Sequence, residues 1–416
     1  MAIQLICKSE ECTGCGMCEQ ICSHKAIIMQ PDQEGFLHPH INDSCVECGL
    51  CQLKCPVNAL VARFNPPIKI FSGWSNNEAT RIKSSSGGAF TEIAKLVFDK
   101  GGVVFGASMN RDLKVEHIFI EKETELFRLR GSKYVQSIIG ETYKQAQSFL
   151  RQGRMVLFSG TPCQIAGLRN FLHKDYENLC TVDLICHGVP SPRVFEDYKR
   201  YIENIIKETI TCIEFRCKKA SWIFFNIGIN PDIEKNGYTN YSYIGNYYSD
   251  PYIRAFLRDN ILRSNCYKCQ YTSLNRVSDF TIADWWGYKA TSNKDKDFDK
   301  KGVSLIMCNT LKAVNMANHL DMYLKERTKE EALHTNLSLQ KPFPRPSTRD
   351  DFWKDYERKP FDEMVQKWMR PEKIPLSTYV KIYHREYKTL YRLIHLYERI
   401  VRKAHLSKLL IKLQAK

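Results

Sequence analysis

Cys12-x-x-Cys15-x-x-Cys18-x-x-x-Cys22 and Cys45-x-x-Cys48-x-x-Cys51-x-x-x-Cys55-Pro56 place eight cysteines in two near-identical runs at the start of a 416-residue chain. Three thiolates spaced three residues apart wrap one cubane 4Fe-4S cluster, and the fourth cysteine of each run crosses to the other cluster. On that pattern one cluster takes Cys12, Cys15, Cys18 and Cys55, and the other takes Cys45, Cys48, Cys51 and Cys22. Structural zinc pairs two Cys-x-x-Cys knuckles and has no use for a third evenly spaced cysteine, so iron and sulfide fit the spacing better. Ser23 rather than proline follows Cys22, which alters a turn and removes no ligand. Two cubanes imply single-electron transfer.

The clusters account for about 60 of the 416 residues, and at about 100 to 200 residues per domain the rest has room for at least two more units. Charge is uneven. Residues 1–60 hold three lysines, no arginine and seven acids, a net −4, whereas the whole chain is +15 and the remainder therefore +19. A basic body suits a phosphate-bearing cofactor, an acidic carrier protein or an anionic membrane surface. Seventeen cysteines would suggest disulfides in a secreted protein, but eight sit in a motif that needs reduced thiols and MAIQLICKSE has no charged-then-apolar leader pattern. The expected compartment is the cytoplasm. No run of 18 apolar residues offers a membrane span.

Asn65-Pro66-Pro67 is a stiff connection and marks a boundary, after which strand and helix patterns alternate. Ser84-Ser85-Ser86-Gly87-Gly88 precedes a helix expected over about 89–99 and a strand over 103–107. Strand 155–158 runs into Ser159-Gly160-Thr161-Pro162-Cys163 and a helix from Gln164 to about Leu172. Strand 180–185 ends at Cys186-His187-Gly188-Val189-Pro190-Ser191-Pro192 before a helix over about 193–206. Strand, small-residue turn, helix is α/β grammar, and ligands on such folds sit where strands end and helices begin. Glycine and serine let backbone amides approach a ligand, and the helix dipole favours phosphate there, although each turn taken alone is as readily a plain helix cap. Clusters pass single electrons while most organic substrates take two, so a flavin is the expected converter.

Gly160-Thr161-Pro162-Cys163-Gln164, Asp183-Leu184-Ile185-Cys186-His187-Gly188-Val189-Pro190-Ser191, Gly131-Ser132-Lys133-Tyr134, and Cys266-Tyr267-Lys268-Cys269 followed by Asp279-Phe280-Thr281-Ile282-Ala283-Asp284 resemble the coenzyme F-420 hydrogenase/dehydrogenase beta subunit family. The resemblance spans roughly residues 70–365, with a bacterial-type two-cluster ferredoxin domain fused in front. It implies an FAD-binding iron-sulfur oxidoreductase. Flavin contacts would then come from Ser86, Gly87, Gly88, Ser132, Lys133, Gly160, Thr161, Pro162, Cys163 and Gln164. Relatives with the Cys266 and Cys269 knuckle bind another 4Fe-4S cluster near the flavin, so a third cluster is an option here, with Cys163 and Cys186 as candidate partners. A zinc half-site or a redox dithiol would use the same knuckle.

Lys133 would stabilise negative charge on the cofactor, and His187, at a strand end, would donate a proton, so these two are the candidate catalytic residues. Each has a plainer alternative: a solvated lysine and a histidine capping its turn. Trp222, Asp284, Trp285 and Trp286 read as core that could also border a ring pocket. Cys7, Cys180, Cys212, Cys217 and Cys308 read as structural. A short helical stretch is expected over about 348–368. The last 36 residues carry ten Lys or Arg against two Glu, with Tyr379, Tyr383, Tyr387 and Tyr391 at helical spacing, a basic amphipathic helix. A tyrosine stripe packs more often on its own domain than on a membrane surface, and no nucleic-acid recognition module is visible.

The expected architecture is α+β or α/β in three parts: a two-cluster ferredoxin domain over 1–62, an α/β FAD-binding domain over 68–345, and a helical, basic extension over 346–416. The leading reading is an iron-sulfur flavoprotein passing electrons through FAD to a small-molecule acceptor. The second is an electron-transfer subunit of a larger dehydrogenase or hydrogenase complex exchanging electrons with coenzyme F-420 or a similar carrier. The third is a non-redox scaffold held by metal. The expected partners are an electron donor, either ferredoxin or a dehydrogenase subunit, and the acceptor.

Overall fold

Val103–Met109, Val156–Ser159, Leu179–Leu184 and Phe280–Asp284 lie parallel at the centre of an eight-stranded sheet. The computed structural model describes residues 5–59, 64–218, 222–233, 239–286 and 301–371. In chain order the strands are β1 (Ile27–Pro31), β2 (Leu37–Ile41), β3 (Lys69–Ser75), β4 (Val103–Met109), β5 (Val115–Ile120), β6 (Val156–Ser159), β7 (Leu179–Leu184), β8 (Ile213–Cys217), β9 (Asn226–Ile233), β10 (Thr239–Asn246), β11 (Phe280–Asp284), β12 (Ser304–Cys308) and β13 (Met322–Glu326). The large sheet has the order β13-β3-β12-β11-β7-β6-β4-β5. On both flanks each successive pair is antiparallel: β11 with β12, β12 with β3 and β3 with β13 on one side, β4 with β5 on the other.

Strands β4 and β6 are largely apolar on both sides, as suits strands covered on two faces, while β7 and β11 bury Thr181, Asp183 and Thr281 in hydrogen bonds. Side chains alternate between faces, and the alternation assigns each face its cover. Val103 and Phe105 of β4, with Val156 and Phe158 of β6, pack against helices α5 (Thr142–Arg151) and α6 (Pro162–Leu172) and the cysteine segment. Val104 and Leu157, one residue along, pack on the other face against α4 (Ala89–Phe98) and the helix Leu311–Ala317. A second, antiparallel sheet of β8, β9 and β10 packs with α7 (Pro192–Ile206) in a separate core. It was not legible as a separate layer from the α/β pattern.

The cysteine segment is small. Helix α1 (Met17–Ile21) and helix α2 (Leu50–Leu53) each start after a glycine at positive φ, Gly16 at 72° and Gly49 at 71°. These glycines hold equivalent places in the two runs, and only glycine turns there without strain. The segment is fastened to the body rather than tethered. Ser191 Oγ donates to the Glu34 carbonyl at 2.5 Å, Arg349 forms a two-pronged pair with Glu34, and Asn170 Nδ2 donates to the carbonyls of Lys54 at 2.9 Å and Ala59 at 2.7 Å.

The helical stretch expected over 348–368 consists of two helices, Arg349–Tyr356 and Phe361–Trp368, divided at Pro360, which holds the N-cap position of the second. The chain separates into two compact units, residues 1–371 and 372–416. The second, on which the expected basic helix and its tyrosine stripe fall, lies outside the described residues. Among those described, no helix is long and apolar enough to cross a membrane.

Candidate functional site

The folded segment gathers the cysteines in crossed sets. Cys12, Cys15, Cys18 and Cys55 lie within electrostatic reach of one another, and so do Cys22, Cys45 and Cys51. Backbone N–H groups point at sulfur: Gly14 N–H to Cys12 Sγ and Ala26 N–H to Cys22 Sγ, each at 3.4 Å. Such donors favour thiolate. Cys7, read from the sequence as structural, stands beside Cys12 and Cys55 and holds them down, Cys12 to about 4 and Cys55 to about 7; His38 and Arg263 add to the effect at Cys12. Cys12, Cys15, Cys18 and Cys55 are all buried, whereas in the other set only Cys51 is buried, Cys22 and Cys45 are half-buried and Cys48 is exposed, so the first set is the inner one and the second reaches the surface. Among the described residues no three His, Cys, Asp or Glu side chains converge as a single-ion site. Cubane ligands stand farther apart than the ligands of one zinc.

A third group forms in the body. Cys163 lies in the first turn of helix α6, Cys186 follows β7, Cys266 lies within the turn Ser264–Lys268 and Cys269 directly follows it. All four feel one another's charge. Burial pushes the Cys163 thiol up to about 11 and Cys266 to about 12, so a neutral set is favoured until a cation is supplied. The Val189 N–H lies 3.4 Å from Cys266 Sγ, and the Thr161 hydroxyl lies 3.1 Å from Cys163 Sγ.

Cys163 and Cys186 of this group border a cavity of about 500 Å³ at the ends of β6, β7 and β11. Ser86, Gly88, Ser132, Lys133, Gly160, Thr161, Cys163, Gln164, Cys186 and His187 line it, and so do Thr13 and Gly14 of the first cysteine loop. Gly88 begins α4 in a left-handed conformation with no side-chain cap, leaving the first amides of that helix for a ligand. Ser132 N–H donates to Ser85 Oγ at 2.8 Å, closing two loops over the same end.

Several expected contacts are placed otherwise. Gly87 and Pro162 do not line the cavity; a Cβ at Gly87 would stand 2.4 Å from the Gly73 carbonyl oxygen, so this glycine serves close packing against β3. Gln164 Oε1 accepts the Thr161 N–H at 2.9 Å in a capping box, a helix-start device. Lys133 Nζ donates to the carbonyls of Arg128, Leu129 and Arg130 at 3.2, 3.0 and 3.0 Å. All three of its protons are engaged in this way, so the ammonium ties the loop at the cavity wall. Burial lowers it to about 7, against carbonyls that favour the charged form.

His187 fits its expected place better. Its Nε2 lies 2.6 Å from Asp259 Oδ1, its ring packs on Phe256 and Phe343, and Nδ1 has no hydrogen-bond partner among the described residues. The sequence reading missed the opposite wall. Buried Arg216 grips Asp284 with Nη1 to Oδ2 at 2.7 Å and Nη2 to Oδ1 at 3.2 Å, reaches Tyr134 Oη at 3.2 Å, and lies over the Phe225 and Trp286 rings. Trp222 stacks on Trp286 and donates to Asp284 at 2.6 Å, while Trp285 is core. Asp284 was visible in the sequence; its cation sits in a β8 segment with no motif of its own.

Residues 70–141 match the family model for the N-terminal part of the coenzyme F-420 hydrogenase/dehydrogenase beta subunit, and residues 153–331 match that for its C terminus. The chain belongs to this beta-subunit family. Residues 11–59 match a 4Fe-4S dicluster domain, so the family body here carries an iron-sulfur, electron-transfer module at its front. No curated protein matches the chain. A solved structure described as a xenon derivatization of the F-420-reducing NiFe hydrogenase complex from Methanosarcina barkeri is 14% identical, over 74% of this chain and 97% of that one, with a TM-score of 0.43. The family match favours the electron-transfer subunit over the free-standing reductase and the scaffold.

Proposed function

We propose that this chain is the electron-transfer subunit of an oxidoreductase complex, passing electrons between its iron-sulfur clusters and an FAD in the 500 Å³ cavity, and from there to or from a soluble two-electron carrier of the deazaflavin type. One observation carries the reading: the cavity is walled at once by Thr13 and Gly14 of the inner cysteine loop, by Cys163 and Cys186, and by the small-residue turns around Ser86, Ser132 and Gly160. The electron inlet and the nucleotide-type turns open on the same space.

The residues fit the groups they would hold. The inner set Cys12, Cys15, Cys18 and Cys55 would bind one cluster, Cys22, Cys45, Cys48 and Cys51 the outer one, and Cys163, Cys186, Cys266 and Cys269 a third. Exposed Cys48, with Val46 and Leu53 exposed nearby, suits entry from a partner subunit or ferredoxin at the outer cluster. A bound flavin supplies the exchange between one-electron and two-electron chemistry. The chain does the rest. The uncapped start of α4 would meet phosphate, Arg216 with its aromatic neighbours would border the ring system, and His187 would hold a proton at Nδ1 while Asp259 fixes Nε2.

The test is anaerobic reconstitution followed by iron, sulfide and flavin determination per chain. About twelve irons with one flavin are expected, since each cubane holds four. Reduction by dithionite and reoxidation by a deazaflavin, then by other small-molecule acceptors, identifies the carrier. Protein that takes up clusters and no flavin under these conditions sinks the cofactor reading.

A further inference from the structure

Arg263, only 2% exposed, is tied to two of the sulfur sets. Its carbonyl accepts the Cys266 N–H at 2.9 Å, and its own N–H donates to the Val189 carbonyl at 2.9 Å, so its backbone belongs to the knuckle. Its side chain reaches the other way. Nε donates to the Cys12 carbonyl at 2.8 Å, and Nη2 lies 3.0 Å from His38 Nε2. Nη1 is buried with no hydrogen-bond partner among the described residues, facing the backbone of Gly14, where a Cβ would stand 3.0 Å from it. A buried guanidinium N–H left unpaired is costly unless something supplies an acceptor, and sulfur of a cluster in the inner loop is the acceptor this place offers. Asp32 is reached only through His38, 3.3 Å from it. The charge of Arg263 favours the thiolate at Cys12, Cys163 and Cys266 alike.

We propose that Arg263 is the electrostatic bridge of the internal electron path, a fixed cation shared by the inner ferredoxin-type site and the Cys163, Cys186, Cys266 and Cys269 site. The inference rests on reading both sets as cluster ligands. In the step it serves, the inner site loses one electron and the body site gains one, with no atom transferred. A cation in a low-dielectric interior stabilises whichever site holds the extra electron, and so raises both reduction potentials. Arginine suits the task because it stays charged throughout; a histidine there would couple the electron to a proton.

The experiment uses the full chain with Arg263→Gln and Arg263→Lys, reconstituted anaerobically, with iron and sulfide assayed and potentials read by an EPR-monitored redox titration. The glutamine variant should keep its iron and make reduction of at least one of the two sites about tenfold less favourable, about 59 mV for a one-electron couple. The lysine variant should stay within a factor of about three of the wild type, because it keeps the charge. Wild-type potentials in an iron-replete glutamine variant overturn the proposal. So does a lysine variant that falls as far as the glutamine one, since the lost fork and not the charge would then matter. Iron loss from glutamine alone, with lysine intact in iron and potential, supports it; iron loss from both assigns Arg263 to holding the loop and overturns it. About eight irons in the wild-type chain would remove the body site and with it the shared role. Flavin is measured in the same samples: a shifted potential without flavin leaves the bridge standing and removes the cofactor reading, and flavin with unshifted potentials does the reverse.

Discussion

Gly167 lets helix α6 rest directly on Cys15: a Cβ at Gly167 would stand 3.1 Å from the Cys15 Cβ and 3.2 Å from its Sγ. Tyr143 seals the same contact, its hydroxyl lying 2.9 Å from the Cys15 carbonyl and 2.8 Å from the Gln164 carbonyl. The helix that carries Cys163 in its first turn is thus pressed onto the inner cysteine loop with no side chain between them. Gly167→Ala gains up to about 1 kcal/mol of helix propensity and loses about 1–3 kcal/mol to overpacking, so a small net loss is expected, and Gly167→Val should lose clearly more. Anaerobic thermal melts and iron content check this. A valine variant with wild-type stability and iron would refute the close contact.

His117 is enclosed beside the cavity, its Nε2–H donating to the Ser159 carbonyl at 3.1 Å and its Nδ1 accepting from Ser137 Oγ at 2.7 Å. Burial pushes it down from 6.5 to about 4. The unfolded chain therefore takes up this proton first on acidification. The contribution to stability is whole above about pH 6.5 and declines between pH 6.5 and 4, by about 1.4 kcal/mol per unit at the steepest. His117→Gln removes the titrating group. The stability difference between wild type and variant should change across that window and be flat above pH 7, as read by denaturant titrations at stepped pH; a difference independent of pH throughout would rule the burial effect out.

The cysteine runs were legible because their spacing is set by cluster geometry and survives any context, and the turns at Gly160 and Gly188 were legible because small residues between apolar runs have few other uses. What stayed hidden depends on residues far apart in sequence. Arg216 and Asp284 meet across 68 positions, and Arg263 reaches Cys12 across 251. Neither cation carries a local pattern. Lys133 is the opposite case: its motif was visible, but which carbonyls would surround the ammonium was decided by the turn Glu123–Arg128 folding beneath it. Gln164 lines the cavity as its motif suggests, but its second task, the capping box, shows only in the structure.

Asp284 neutralises Arg216 in a setting that leaves their side chains only 12% and 4% exposed. Arg216 Nε is already buried without a partner, so the site has little tolerance for further loss. Asp284→Asn strands the guanidinium, at a cost of about 3–5 kcal/mol. It should lower the melting temperature of the protein without cofactor and weaken flavin retention on gel filtration, while iron stays at the wild-type level because no cysteine is involved. Unchanged melting would mean that the pair is solvated and contributes little.

His187 offers a way to separate proton from electron movement. Its Nε2 is engaged by Asp259 at 2.6 Å, which leaves Nδ1 as the nitrogen able to pass a proton at the cavity wall. One-electron reduction of the clusters needs no such group, whereas reduction of a two-electron carrier does. His187→Gln should therefore leave iron, flavin and the rate of cluster reduction by dithionite unchanged and slow carrier reduction by about 100-fold. Asp259→Asn should act in the same direction and less strongly, because the ring stays and loses only the carboxylate that orients it. A viologen dye as one-electron acceptor supplies the control: both variants should reduce it at the wild-type rate. Equal slowing with viologen and carrier would show that His187 shapes the cavity and passes no proton.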